Sequence, residues 1–279
     1  MKTKAERHYS KYQIMILIAI IILTAAAWVY LALSGSGDGG MVMDMSGTDE
    51  SMEAAMNSRL LDAAVSVTLP PVGMFVTMWT MMCLAMMLPT AIPMILCMQR
   101  VCEQDKRNRS KLPVWLFVLG YTIIWVLFGV MCWGAAYLLF WLLGGWLSDS
   151  IHLWLAVGLL FLLCGIYQIS PLKNACLKGC QHPLSFLLAH WREGNTGGLI
   201  MGLQHGIYCA GCCAALMVVM FPLGMMNLVW MGLFTLLMFF EKNASFGTKL
   251  SKIAGWLLIV AGAVSVLLSL LLLIFKIQL

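Results

Sequence analysis

Apolar runs and short polar loops alternate along the whole chain. The first run, 14–33, has 20 residues, and an α-helix needs about 20 apolar residues to cross a bilayer. Six further runs of comparable character follow. The pattern predicts an all-α fold, a polytopic bundle of about seven transmembrane helices. The predicted spans are 14–33, 72–98, 113–143, 151–169, 198–221, a sixth ending near residue 240, and 253–275.

The distribution of basic residues predicts the orientation of these spans. Fifteen of the 17 Lys and Arg residues would lie on one side of the membrane. They occur in the first 13 residues and in the loops 99–112, 170–196 and 241–252. Because cytoplasmic loops carry the excess of Lys and Arg, the N-terminus is predicted to lie inside. The first span is longer than a usual signal-peptide core, so we expect an uncleaved anchor.

Composition supports the membrane prediction and limits the classes of molecule that are expected as partners. The chain is 62% hydrophobic and 10% charged, with a mean hydropathy of +0.91, which is typical of integral membrane proteins. The net charge of +5 comes from the basic loops, so it indicates a lipid bilayer and no nucleic acid as partner. Most of the ten cysteines fall in predicted helices or on the cytoplasmic side, so disulfides are not expected by default.

Four potential soft-metal ligands occur together in the fifth span, which contains MGLQHGIYCAGCCAALM at 201–217. At about 100° per residue, His205, Cys209 and Cys212 lie within roughly 60° of one another on a helix, and Cys213 lies about 40° further round. Imidazole and thiol groups on one face, in an apolar setting, favour a soft-metal site. The alternative is that these small residues only allow close helix packing.

Methionines form a stripe on the second span, where Met74, Met78, Met82 and Met86 recur every four residues. This span would enter from outside and the fifth from inside, so both sets of ligands can lie near the middle of the bilayer. Met78, Met82 and Met86 are therefore candidate metal ligands. Flexible packing is the alternative explanation of such a stripe.

Two further clusters lie in polar segments. Met41, Met43 and Met45 lie beside acidic residues in loop 34–70, and thioethers bind Cu(I) without deprotonation, so this loop is a candidate for metal capture. The loop 170–196 contains Cys176, Cys180 and His182, a second candidate metal site whose spacing matches no common zinc motif. A disordered loop and an ordered interfacial loop are the respective alternatives.

Four motifs in order resemble a bacterial family of unknown function whose members are predicted to be metal-binding integral membrane proteins. The motifs are MWTMMCLAMMLPTAIP, GIYQISPLKNACLKGC, MGLQHGIYCAGCCAALM and GMMNLVWMGLFTLLMFFEK, within residues 70–265. The sequence departs from the family pattern at Ala214, where the family has Trp. The resemblance implies a multi-pass protein of the bacterial inner membrane. The characteristic positions that it implies are Met82, Met86, Met87, Pro89, Gln168, Lys173, Cys176, Cys180, His205, Cys209, Cys212, Cys213, Trp230, Met231 and Glu241.

The predicted organisation is a membrane anchor at 1–33, a Met-rich extracytoplasmic loop at 34–70 and a six-span metal-binding domain at 71–279. Thioether, thiol and imidazole ligands favour Cu(I) over hard cations, although another soft metal fits the same ligands. Two thiolates around one Cu(I) leave a net charge of −1, so we do not expect all three cysteines of the fifth span to bind one ion as thiolates.

The first functional hypothesis is uptake, relay or delivery of Cu(I), with a copper enzyme or a soluble copper carrier as partner. The sequence contains no nucleotide-binding motif, and the predicted spans carry no charged residue except Glu241 at an end, which argues against a pump. No catalytic residue is predicted. The second hypothesis is a membrane thiol oxidoreductase that uses Cys212 and Cys213. The third is a structural membrane subunit whose Met and Cys residues only pack.

Overall fold

The computed structural model describes residues 11–37, 71–104, 112–147, 149–224 and 227–278. Within these ranges the chain forms helices and no strand, so the all-α prediction is confirmed there. The candidate capture residues of the Met-rich loop, Met41, Met43 and Met45, lie outside the described residues. The helices are α1 (Lys11–Gly37), α2 (Val72–Gln104), α3 (Leu112–Leu147), α4 (Ser150–Ile169), α5 (Pro171–Gln181), α6 (Pro183–His190), α7 (Gly194–Leu223), α8 (Leu228–Asn243) and α9 (Gly247–Gln278).

Six of the described helices, α1, α2, α3, α4, α7 and α9, are long and apolar enough to cross a membrane, judged by length and composition. The remaining predicted span corresponds to α8, which has 16 residues. At 1.5 Å per residue such a helix is about 24 Å long, shorter than a hydrocarbon core of about 30 Å. The number of crossings and the orientation of the N-terminus therefore stay predictions.

Close backbone packing holds α7 against α3. A Cβ atom on Gly202 would clash with the backbone carbonyl oxygen of Phe117, and one on Gly198 would clash with that of Pro113. Small residues at such spacing let two apolar helices approach closely. Elsewhere in the bundle α9 packs along α4, and α1 packs along α2. The contact between α3 and α7 fixes the rotation of the helix that carries the Cys-rich motif.

Two predicted polar loops differ from the structure. The loop 170–196 contains two short helices, α5 and α6, because Ser170 caps the first with its side-chain oxygen and a proline begins each helix. The prediction that a polar loop begins at Glu241 and Lys242 is wrong, since α8 continues to Asn243. Both side chains lie inside the bundle, at 1% and 5% exposure.

Candidate metal centre

Three cysteine thiols converge where α5 crosses α7. The sulfur atoms of Cys180, Cys209 and Cys212 all lie within 4.8 Å of one another, and the Sγ atoms of Cys180 and Cys212 are 3.8 Å apart. Cys209 and Cys212 are buried, whereas Cys180 is partly exposed. Among the described residues this is the one group of three or more His, Cys, Asp or Glu side chains that could hold a metal ion. We call these residues the three-thiol site.

The helices supply the three thiols in a defined way. Cys209 and Cys212 lie three residues apart on α7, so they share one face of that helix. Cys180 belongs to α5, and its position is fixed by packing of α5 on α7 at Gly211. A Cβ atom on Gly211 would come 2.7 Å from the Sγ atom of Cys176, and Tyr167 of α4 donates a hydrogen bond to the Gly211 carbonyl oxygen.

Cys209 has two polar neighbours from other helices. Its Sγ atom lies 3.1 Å from the Tyr121 hydroxyl of α3, and it accepts a hydrogen bond from the Lys242 ammonium of α8 at 3.0 Å. The same ammonium donates to the Thr90 hydroxyl at 2.9 Å and to the Met87 thioether at 3.7 Å. Lys242 thus joins α2 and α8 to the cysteine of α7, and it places a positive charge beside the three-thiol site.

A buried ion pair lies next to this contact along α8. The Lys173 ammonium and the Glu241 carboxylate are 2.8 Å apart, with side-chain exposures of 0% and 1%. The Gln168 amide donates to the other carboxylate oxygen at 2.7 Å, and Gln181 donates to the Glu241 backbone carbonyl at 2.8 Å. The family resemblance includes Lys173 and Glu241 as separate positions, and the structure shows that they form an ion pair. The Lys173 ammonium therefore balances the charge of the Glu241 carboxylate.

His205 lies one turn from Cys209 but outside the three-thiol site. Its ring stacks on Phe117 and Tyr121, each at a centroid distance of 5.7 Å, and meets the edge of Phe186 at 5.4 Å. The buried Nδ1 atom has no hydrogen-bond partner among the described residues. The imidazole is therefore held in an aromatic cage with one nitrogen unused.

Cys213, Cys176 and His182, the other predicted Cys and His ligands, do not belong to the three-thiol site and differ in their surroundings. Cys213 is buried, and its Sγ atom lies 3.4 Å from that of Cys212. Cys176 packs against α7, and burial raises the pKa of its thiol. His182 is exposed at the junction of α5 and α6. Of the cluster Cys176, Cys180 and His182, the structure brings only Cys180 into the three-thiol site.

Burial of the α2 methionines increases along the helix toward Lys242. Met74 is 59% exposed, Met78 is half-buried, and Met82 and Met86 are 3% and 0% exposed. The α2 methionine that reaches the Cys209 environment is Met87, through Lys242. The second and fifth predicted spans therefore do converge, although at Met87, which follows Met86 of the predicted stripe.

The three-thiol site suits a soft, thiophilic ion. Thiolate ligands select Cu(I), Zn²⁺ and similar metals, and carboxylate ligands suit harder ions. No carboxylate of the described residues belongs to the site. Three converging sulfur atoms match the low coordination numbers that Cu(I) accepts, and Cys180 is the partly exposed residue among the three.

Sequence reasoning did not anticipate the roles of Tyr121, Thr90 and Lys242. Tyr121 and Thr90 are single polar residues in apolar helices. In the sequence nothing distinguishes them from residues that only pack. Lys242 offered a signal, because it follows an acidic residue at the end of an apolar run inside a motif of the family pattern. The local sequence nevertheless predicts a loop residue at this position, since charged residues at the end of an apolar run are usually solvated.

The comparisons with known proteins bear on this chemistry. The model of the PpoB2 family, described as a copper chaperone, matches residues 76–265, which is more than half of the chain. The match includes every residue of the three-thiol site and of its Lys242 contact. It confirms the metal-related part of the resemblance seen in the sequence. No curated protein and no solved structure matches the chain.

Proposed function

Because the chain belongs to the PpoB2 copper chaperone family, we propose that it is a membrane-embedded copper chaperone that binds Cu(I) at the three-thiol site. The observation that carries the proposal is the convergence of Cys180, Cys209 and Cys212 within 4.8 Å. Thiolates bind Cu(I) strongly, and the metal displaces their protons when it binds.

The proposed location is the inner membrane of a bacterium, with the N-terminus inside. The six long apolar helices support a membrane location, and the basic loops support the orientation. In this arrangement the Met-rich loop 34–70 would capture copper outside. The methionines of α2, which become progressively more buried from Met74 to Met86, would pass the ion inward toward Cys209.

Release is proposed to begin at Cys180. It is the partly exposed member of the site, and it belongs to α5, a short helix separate from the helix that carries Cys209 and Cys212. A thiol or thioether of an acceptor can approach copper from this side and replace Cys180 as a ligand. Stepwise exchange of sulfur ligands would deliver the ion to a copper enzyme or to a soluble carrier without releasing it free.

The test compares two cysteines of α5 that lie one turn apart. The protein is purified anaerobically in detergent, loaded with Cu(I) in the presence of a competing chromogenic Cu(I) chelator, and analysed for bound copper. Wild type is expected to bind one copper per chain, and Cys180→Ser and Cys212→Ser to lose tight binding. Cys176→Ser, the matched control, is expected to retain it.

Either of two results would contradict this proposal. If well-folded wild type binds no Cu(I), the protein has no copper site. If Cys180→Ser and Cys176→Ser bind Cu(I) with equal affinity, Cys180 is neither a ligand nor the residue at which release begins. The helical content of every variant is compared by far-UV circular dichroism, so that loss of copper is not confused with loss of fold.

Thiol redox chemistry is the second candidate function, and the pair considered is Cys180 and Cys212, whose sulfur atoms lie 3.8 Å apart. The sulfur atoms of Cys212 and Cys213 are closer, at 3.4 Å, but adjacent cysteines can form only a strained ring disulfide. A disulfide needs its sulfur atoms about 2.05 Å apart, so a small shift of α5 would be required. Alkylation of free thiols followed by mass spectrometry, before and after treatment with a disulfide oxidant, tests it. A cross-link between residues 180 and 212 that turns over with reductant would support this function.

A further inference from the structure

The Lys242 side chain presents a buried positive charge directly to a candidate metal ligand. Its exposure is 5%, and its contacts are the Thr90 hydroxyl, the Met87 thioether and the Cys209 thiol. The nearby Glu241 carboxylate is paired with Lys173 at 2.8 Å. Within the part of the chain that the structure describes, the charge of Lys242 therefore faces the three-thiol site and is not neutralised by a carboxylate in contact with it.

The charge of a loaded site depends on the ion that occupies it. When one of the three thiols keeps its proton, two thiolates with a monovalent ion have a net charge of −1, and two thiolates with a divalent ion have a net charge of zero. With the Lys242 charge included, the totals become zero and +1. Uncompensated charge is strongly unfavourable in an apolar interior, so the ammonium favours the monovalent ion.

We propose that Lys242 is a specificity-determining residue, which makes the three-thiol site prefer a monovalent soft cation, Cu(I) or Ag(I), over a divalent thiophilic cation. The inference rests on the proposed function, since it requires the three thiols to bind metal. Lys242 acts through its charge and not as a ligand, because a protonated amine has no lone pair to offer to the ion.

The size of the effect follows from one unit of charge. The loaded site carries −1 with a monovalent ion and zero with a divalent ion, so the ammonium stabilises the first by one charge–charge interaction and leaves the second nearly unaffected. For charges about 4–5 Å apart at an effective dielectric constant of about 20, that difference corresponds to an affinity ratio on the order of 10²-fold or more. Loss of packing around Lys242 would weaken both metals alike and would cancel from the ratio.

The test measures the affinities of purified, detergent-solubilised protein for Cu(I) and Cd²⁺ by competition with chromogenic chelators, under anaerobic conditions. Lys242→Met removes the charge and keeps an unbranched side chain of similar length, and Lys242→Arg keeps the charge. Lys249→Met, at an exposed position a few residues later, controls for overall charge. Lys242→Met is expected to lower the ratio of Cu(I) to Cd²⁺ affinity on the order of 10²-fold, mainly through weaker Cu(I) binding. Lys242→Arg and Lys249→Met are expected to keep the wild-type preference.

Each outcome has a distinct meaning. Folded wild type that binds no Cu(I) refutes the proposed function. Wild type that binds Cu(I), with an unchanged ratio in Lys242→Met, refutes this inference alone. Tighter Cu(I) binding by Lys242→Met also refutes it, since the ammonium would then be a competitor for Cys209. If no protein binds Cd²⁺, the Cu(I) affinities of the Lys242 variants decide: a loss on the order of 10²-fold in Lys242→Met that Lys242→Arg does not show supports the inference, and equal affinities of the two variants overturn it. Lys242→Gln replaces the Met variant if the latter does not fold.

Discussion

The ion pair between Lys173 and Glu241 offers a test of how the bundle is held together. It joins α5 to α8, with a 2.8 Å contact and almost no exposure of either side chain. Glu241→Gln keeps the shape of the side chain and removes its charge, which leaves the Lys173 ammonium buried without a counter-ion. Lys173→Met removes the other partner, and the double variant removes both charges together.

The expected loss follows from that burial. Breaking a buried ion pair by removing one partner costs about 3–5 kcal/mol, because the remaining charge is uncompensated. Glu241 also accepts a hydrogen bond from Gln168 at 2.7 Å, and a bond to a charged acceptor contributes about 1.5–3 kcal/mol. We therefore expect each single variant to lose about 3–5 kcal/mol. The double variant is expected to lose much less than the sum of the single losses.

Unfolding in mixed micelles with increasing SDS, followed by circular dichroism, measures the free energies. Lys178→Met is the matched control, because Lys178 lies on the same helix as Lys173 but is exposed, so a change within about 0.5 kcal/mol is expected. A loss below about 1 kcal/mol for Glu241→Gln would show that water or another group compensates Lys173. Losses that add in the double variant would show that the two charges do not act as a pair.

Two further predictions concern α7. Gly202→Ala is expected to destabilise the protein by about 1–3 kcal/mol, because the new Cβ atom meets the Phe117 carbonyl oxygen. Gly134→Ala, where a Cβ atom would meet nothing within 4 Å, is the control, and equal effects of the two changes in the same SDS unfolding assay would refute the packing argument. His205→Phe is expected to retain one copper per chain in the anaerobic loading assay, since His205 lies outside the three-thiol site. Loss of copper comparable to that of Cys212→Ser would instead make the unused Nδ1 atom a ligand.

The helices and the soft-ligand motif could be predicted from local sequence. Long apolar runs give helices because every backbone hydrogen bond must be satisfied within a segment in lipid. The 3.6-residue period then places Cys209 and Cys212 on one face of α7 without any knowledge of its neighbours. The match of the PpoB2 copper chaperone family to residues 76–265 agrees with the soft-metal chemistry inferred from that face.

Which residue completes the site could not be predicted in this way. Cys180 lies 32 residues from Cys212 along the chain, and the sequence pattern groups it with its neighbours Cys176 and His182. Only the packing of α5 across α7 separates it from them, since a short helix in a loop can meet a long helix at many angles and depths. The same uncertainty applies to Lys242, whose interpretation depended on whether α8 ended before or after it.

The sequence by itself determined that the described chain is helical, that six of the seven predicted spans are helices long and apolar enough to cross a membrane, and which face of α7 carries sulfur. These properties follow from hydropathy and helical period, which are local. The tertiary structure decided that Cys180 joins Cys209 and Cys212, that His205 is enclosed by aromatic rings, and that Lys173 neutralises Glu241 while Lys242 faces Cys209. These properties depend on the rotation and depth of helices that are distant in sequence, and close packing between residues such as Gly202 and Phe117 sets that rotation.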